Sequence, residues 1–197
     1  MITLALLWIL WCFLHSLLIT GWLNRWIENK GGFLQGAHRL FYVGFSCLSL
    51  IPVLWYQFSL PQQQFFSWHG PWLILQFLLL FYAVIMFYGG KKVYDTSYFL
   101  GIRQWKNYRH NQEPQSLPFT SKGILRYVRH PWYSGSLTFL WAMGQLTDVT
   151  ILARTLLSLY LVIGTLLEEH KLKLQIGEPY HEYCRQVPML IPWKGKM

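Results

Sequence analysis

"ITLALLWILWCFLHSLLITGWL", residues 2 to 23, runs its whole length without one Asp, Glu, Lys or Arg. About 20 apolar residues in a row are enough to cross about 30 Å of hydrocarbon as a helix. The stretch therefore reads as a membrane span. Four further windows follow, at about 40 to 60, 72 to 90, 132 to 147 and 149 to 167. Composition agrees, with 53% hydrophobic and 18% aromatic residues against 13% charged, where a soluble domain averages about 25% charged. A soluble fold would need nowhere near this much apolar length. The expectation is an all-α, polytopic membrane helix bundle with about five transmembrane helices. Residues 1–91 form a three-helix membrane region, and residues 92–197 a second region carrying a helical hairpin.

The fourth window is the weakest. It contains Gly135, Ser136, Gly144 and Gln145, and only Thr147 and Asp148 separate it from the fifth, so the two are expected to make a tight helical hairpin. The glycine pairs at 31–32 and 89–90 read as turns at the membrane interface.

Lys and Arg are retained on the cytoplasmic side of short loops, and their alternation tests the count. None precedes the first span. Arg25, Lys30 and Arg39 follow it, and none lies between the second and third. A large cluster from Lys91 to Arg129 precedes the fourth, and Lys171, Lys173, Arg185, Lys194 and Lys196 follow the fifth. The chain thus reads as N-terminus out and C-terminus in, with segments of about 91 to 131 and 168 to 197 facing the cytoplasm. Arg154 alone falls on the outer side, near enough to the interface to snorkel. The net charge of +9 follows from topology and attraction to anionic membrane lipids, and no nucleic acid is needed to explain it. The first span has no basic residue before Arg25 and no small-residue cleavage pattern, so it is expected to stay attached. Cys12, Cys47 and Cys184 are scattered, which suggests neither a disulfide framework nor a metal cluster.

Chemistry concentrates at "GILRYVRHPWYSG", residues 123 to 135. Pro131 suits the first turn of a helix, whose N-terminus adds partial positive charge to an anion site lined by Arg129 and His130. Trp132 and Tyr133 add aromatic faces for a ring or a cation. Anchoring at the interface is the plainer reading, and for Arg126 the preferred one. Downstream, Glu168 and Glu169 sit at the end of the fifth window, where a helix C-terminus and two adjacent carboxylates disfavour one another. A cation belongs beside them, and an ion pair with Arg129 or Lys171 would account for them structurally. Together the two ends of the hairpin suit a ligand carrying carboxylate, ammonium and sulfonium groups.

These residues resemble a known family. "RHPWY", a short hairpin, "EE", and then "GEPYHEYCRQVPMLIP" are similar in order and spacing to the isoprenylcysteine carboxyl methyltransferase superfamily of membrane enzymes, over about residues 117 to 192. "FLHSLL" in the first window and "DTSYFLGIRQW" at 95–105 more loosely resemble a bacterial branch. That branch holds methanethiol S-methyltransferases and membrane proteins linked to nitrite and nitric oxide reductase expression. The resemblance implies S-adenosylmethionine as cofactor. It implies that Arg129, His130, Pro131, Trp132 and Tyr133 line its pocket, with Leu125 and a strand-like stretch of Leu117, Pro118, Phe119 and Thr120 against the adenosine. Glu168, with Glu169, would hold the polar end. Where isoprenylcysteine enzymes carry an Arg one helical turn before the first Glu, this chain has Gly164, which points to a small or lipophilic acceptor.

A thiol acceptor is the first expectation, and its pKa near 8.5 must be lowered or met by a base. His15, Asp95, Arg103 and Gln104 are the candidate catalytic residues, with His130 a second imidazole to consider. The alternatives are that His15 only bonds a neighbouring helix, and that Asp95 pairs with Lys91 at i−4. Carboxyl O-methylation, or a noncatalytic assembly factor of the same fold, are the other functional readings. A haem or quinone protein using two of His15, His38, His130 and His170 leaves the two Glu unexplained. No metal is expected.

Overall fold

The computed structural model describes residues 1–112 and 119–193 and is almost entirely helical. It divides into two compact units, Met1–Gln62 with Asp95–Leu117, and Gln63–Tyr94 with Pro118–Met197.

In the first unit, α1 (Ile2–Ile19), α2 (Gly21–Lys30) and α3 (Gly32–Ser59) are followed by α5 (Thr96–Phe99) and α6 (Ile102–Arg109). α1 and α3 run antiparallel along a ladder of polar contacts. Trp8 Nε1 donates to Gln57 Oε1 at 2.9 Å, Trp11 Nε1 to the Ser46 carbonyl at 3.3 Å, and His15 Nε2 meets the Tyr42 hydroxyl at 2.6 Å. In hydrocarbon such indole and amide groups need partners inside the protein, and each finds one on the facing helix. Gly31 and Gly32, at φ +64° and +68°, make the turn into α3 as expected. α3 is longer than its apolar window, beginning at Gly32 and continuing through Pro52. α6 packs on its first turns, where a Cβ on Gly36 would lie 2.4 Å from Tyr108 Cβ.

The second unit contains β1 (Gln64–Phe66), α4 (Trp72–Val93), a 3-10 turn (Gly123–Arg126), α7 (Pro131–Ala142), β2 (Leu146–Thr147), α8 (Asp148–Ile176) and α9 (Glu178–Gln186). Among the described residues four helices, α1, α3, α4 and α8, are long and apolar enough to cross a membrane. The helix at the expected fourth span is short. α7 has 12 residues, about 18 Å at 1.5 Å per residue, short of the hydrocarbon thickness of about 30 Å. It nevertheless runs antiparallel along α4. Trp132 Nε1 donates to the Phe87 carbonyl, Tyr82 and Ser134 share a hydroxyl contact, and Gln76 Nε2 donates to the Ala142 carbonyl. The hairpin is looser than the two-residue connection expected. Five residues, Met143 to Thr147, join α7 to α8, and β2 pairs antiparallel with β1 through Gln64 and Thr147. Asp148 closes that end by accepting from the Gln63 N–H at 2.9 Å.

Two other expectations change, at Gly89–Gly90 and at the two glutamates. Gly89 and Gly90 are not a turn but a notch inside α4. A Cβ on Gly90 would lie 2.3 Å from Trp132 Nε1, and one on Gly89 2.8 Å from Ile124. Small residues allow this close approach. Arg154 is buried and reaches back past the start of α8, its guanidinium donating to the Met143 and Gln145 carbonyls, so it braces the α7–α8 connection from within. α8 continues to Ile176, so Glu168 and Glu169 lie two turns inside the helix, away from its C-terminal carbonyls. Apolar residues such as Leu6, Phe13, Phe77, Phe81, Leu159 and Ile163 face outward, as they must on an integral membrane protein with no water to avoid.

Candidate active site

The second unit gathers the charged residues of both motifs at one end of α7. Pro131 occupies the first turn of that helix and His130 is its N-cap. Consecutive residues on a helix are rotated by about 100°, and this divides the two glutamates. Glu169 turns inward and is buried, while the Glu168 side chain is 42% exposed.

Glu169 is saturated. Its Oε1 accepts from Arg129 Nε at 2.8 Å, His130 Nε2 at 2.7 Å and the Tyr180 hydroxyl at 2.9 Å. Its Oε2 accepts from a second Arg129 nitrogen at 2.8 Å, with the Cys184 thiol at 3.5 Å. The Arg129–Glu169 pair is therefore a two-pronged fork, the strong form of such contacts. The third Arg129 nitrogen donates to the Cys184 and Val187 carbonyls. Backbone bonds from the Arg129 and His130 N–H groups to the Pro188 and Met189 carbonyls fasten the C-terminal segment to the same place. The cation beside Glu169 is thus Arg129, and its hydrogen bonds are internal to the protein.

The surroundings follow from this charge arrangement. Burial works against the Arg129 charge, but the hydrogen bonds and field of Glu169 outweigh it and raise its pKa. Burial, reinforced by the Glu169 charge, pushes the Tyr180 hydroxyl and the Cys184 thiol upward. Burial also raises the Tyr183 and Tyr94 hydroxyls. These shifts favour the neutral, donor forms of these groups, the Cys184 thiol included.

Beside this web, His130 Nδ1 faces Glu168 Oε2 at 3.9 Å. Tyr133 lies edge-on to the His130 ring with centroids 5.6 Å apart, and Tyr94 packs against Trp132 at 5.0 Å. Leu125 is buried, and its carbonyl accepts from the Tyr183 hydroxyl at 2.7 Å. Phe119 packs edge-on to Tyr180 and Tyr183. Thr120 accepts from the Lys122 N–H. Phe119 and Thr120 are not in a strand, and Leu117 and Pro118 lie outside the described residues. A Cβ on Gly164 would meet nothing within 4 Å, leaving open space one helical turn from Glu168.

The residues expected at the acceptor, His15, Asp95, Arg103 and Gln104, all belong to the first unit. Asp95 caps α5 by accepting from the Tyr98 N–H at 3.0 Å and pairs with Arg103 at 2.7 Å, so its partner is Arg103 and not Lys91. That backbone bond, with Arg103 beside it, holds its carboxyl below the ordinary value. Gln104 Nε2 donates to the Tyr98 carbonyl. His15 stacks near Trp11 and Tyr42 within the α1–α3 ladder. Sequence reasoning assigned no role to Tyr180, Tyr183 or Cys184. The signal was present in "PYHEYC", where Tyr180 and Tyr183 at i and i+3 share one face of α9.

No protein-family model matches the chain. Among curated proteins it is similar to the methanethiol S-methyltransferase of Crocosphaera subtropica, 33% identical over 169 residues that make up 80% of this chain and 62% of that protein. It is 30% identical over 162 residues, 80% of this chain and 61% of the relative, to the protein of the same name from a Pseudomonas species. It is also 28% identical to nurim of Bos taurus over 169 residues, 81% of this chain and 63% of nurim. The chain spans about three fifths of the length of these relatives. No solved structure matches it. These similarities bear out the resemblance carried by the motifs.

Proposed function

We propose, taking this chain's kinship with the methanethiol S-methyltransferases as the premise, that it is an integral membrane methyltransferase. It would move a methyl group from S-adenosylmethionine to a small thiol. The observation that carries the reading is the grouping of His130, Trp132, Tyr133, Glu168 and Glu169 at one end of the second unit. The donor set there suits a ligand with an ammonium, a carboxylate and a sulfonium. Glu168 offers a half-exposed carboxylate beside open space at Gly164. The start of α7 offers partial positive charge, and Trp132 and Tyr133 offer aromatic faces to a cation.

In this reading Glu168 and His130 hold the polar end of the donor, and Phe119 and Leu125 lie on its adenosine side. Glu169 and Arg129 keep that wall rigid. When bound, the cofactor supplies a methyl group on a good sulfur leaving group, so the protein's task is placement and exclusion of water. The charge alternation supports a cofactor site facing the cytoplasm.

Protein purified into lipid nanodiscs, supplied with methyl-tritiated S-adenosylmethionine and methanethiol, should release labelled dimethyl sulfide. Its rate should rise with pH through an apparent pKa below that of the free thiol, because the site must favour thiolate. Transfer to an isoprenylcysteine carboxylate with small thiols inert would replace the thiol reading with carboxyl methylation. Cofactor binding without transfer to either would favour an assembly factor.

A further inference from the structure

We infer, resting on the methyl-transfer reading, that a groove between α4 and α7 binds the acceptor as an alkyl thiol, with the Tyr82–Ser134 hydroxyl pair in its wall donating to the sulfur. The groove belongs to the second unit and has a volume of about 540 Å³. Leu79 and Tyr82 line it from α4, and Ser134, Leu137, Thr138 and Trp141 from α7. Those four positions are spaced i, i+3, i+4 and i+7, which makes them one stripe of the helix. Residues 190–192 form the third wall. They are set there by the backbone bonds that tie Pro188 and Met189 to Arg129 and His130. None of His15, Asp95, Arg103 and Gln104 lines this groove.

The polar groups of the groove point to the ligand. Trp141 Nε1 donates to Ser158 Oγ at 2.9 Å, and the Thr138 hydroxyl to the Ser134 carbonyl at 3.0 Å. Tyr82 and Ser134 together carry two hydroxyl protons, and their mutual bond at 2.6 Å uses one. The other proton has no acceptor among the described residues. In hydrocarbon a hydroxyl without an acceptor is costly. Tyr82 is 11 residues from Val93, at the lysine-bearing end of α4. That is about 16 Å along the helix, half of a hydrocarbon layer of about 30 Å. Ester carbonyls of lipids lie in the interface, far from this depth, and an acyl tail carries no acceptor. A small apolar molecule with an acceptor atom fits, and a thiol or thiolate sulfur is such an atom. The Ser134 N–H bonds the His130 carbonyl at 3.0 Å, so this end of the groove is one helical turn from the imidazole that faces Glu168. In the transfer, the acceptor reacts as thiolate, its proton lost to water. Its lone pair forms the new sulfur–carbon bond, and the electrons of the bond that breaks stay on the donor sulfur. A hydroxyl aimed at the acceptor sulfur stabilises the thiolate that must form first.

The test is fluorine nuclear magnetic resonance of protein in lipid nanodiscs with two probes of equal length, trifluorobutanethiol and trifluoropentane, each referred to empty nanodiscs. Wild-type protein should bind the thiol about tenfold more tightly than the alkane, the order expected for one hydrogen bond. Hydrocarbon contact favours neither probe, since lipid offers the same. The double variant Tyr82→Phe with Ser134→Ala removes both hydroxyls together, which leaves no stranded partner and is close to neutral for folding. It should bind the thiol about tenfold more weakly and the alkane as before. Either single substitution leaves one hydroxyl proton and should weaken the thiol by less. In turnover the double variant should raise the KM for butanethiol by a similar factor, with the affinity for S-adenosylmethionine unchanged. Thr165→Val removes a buried hydroxyl outside the groove, bonded to the Leu161 carbonyl, and should leave thiol binding unchanged. A thiol bound no better than the alkane overturns the inference and makes the groove a seat for a lipid chain. So does an unmoved double variant, or an equal loss in Thr165→Val, which would mean general loosening. Transfer to butanethiol with an unchanged KM in the double variant would sink this inference and leave the functional reading. Thiol binding that depends on the hydroxyl pair, with no transfer to any thiol, would sink that reading and leave the groove a thiol site.

Discussion

Glu168 and Glu169 are neighbours in sequence with opposite duties, and the difference is one of rotation about the helix. Glu169 meets five donor groups inside the protein, counting the two Arg129 nitrogens, His130, Tyr180 and the weak Cys184 thiol. Breaking a buried pair strands its partner, at a cost of about 3–5 kcal/mol. Glu169→Gln should therefore lower stability by about that amount, measured by thermal unfolding in detergent. Glu168 is half-exposed and faces one imidazole nitrogen, so Glu168→Gln should leave the unfolding temperature near that of the wild type. Its effect should fall on ligand affinity, weakening S-adenosylmethionine by about 2–5 kcal/mol, as for a charge partner removed from one side. Titration calorimetry reads this. Loss of stability in Glu168→Gln, or unchanged affinity, would sink the division of duties. Arg129 shows why such roles are hard to read from a motif. "RHP" offers a fork to an anion, but whether that anion is a ligand or Glu169 depends on a residue 40 positions away.

At the scale of elements, α7 is the decisive piece. Proline at its first turn sets where it begins, and its glycines and polar residues made it the weakest window. Twelve residues suffice because it lies in a notch of α4, where Gly90 admits Trp132. The contact is one-sided, since a Cβ at Gly90 has no space while one at Gly164 meets nothing. Gly90→Ala should cost about 1–3 kcal/mol through overpacking and should shift the fluorescence of the displaced indole. Subtracting the spectrum of Trp132→Phe, which lacks this one of the eleven tryptophans, would identify that signal. Gly164→Ala is the matched control and should be tolerated. An equal loss in both would mean that helix propensity or lipid contact, and not the Trp132 notch, governs α7.

At the scale of the whole molecule, sidedness is the open quantity, and it is set by charge and not by packing. In a background free of Cys12, Cys47 and Cys184, cysteines introduced at Phe65 or Asp148 should be labelled by an impermeant maleimide from outside. Those at His110 or Arg185 should react only after the membrane is opened. The Gln63–Asp148 contact requires at least that 65 and 148 react alike, and labelling of 110 from outside would overturn the orientation. Class, charge bias and the motifs were legible because each is a local property: a run of apolar residues, a run of Lys and Arg, a Pro before a helix. The long apolar windows became α1, α3, α4 and α8 because hydrocarbon demands continuous internal backbone bonding. The length of α7, the notch at Gly89 and Gly90, the inward turn of Arg154 and the Asp95–Arg103 pair were not legible. Each depends on which distant group arrives within a few ångströms. The sequence by itself determined that this is a membrane helix bundle with charged groups gathered before and after its last two apolar windows. Only the tertiary structure decided that Glu169 is buried against Arg129 and His130 while Glu168 stays half-exposed, because a 100° rotation between neighbours has no meaning until something packs against one face.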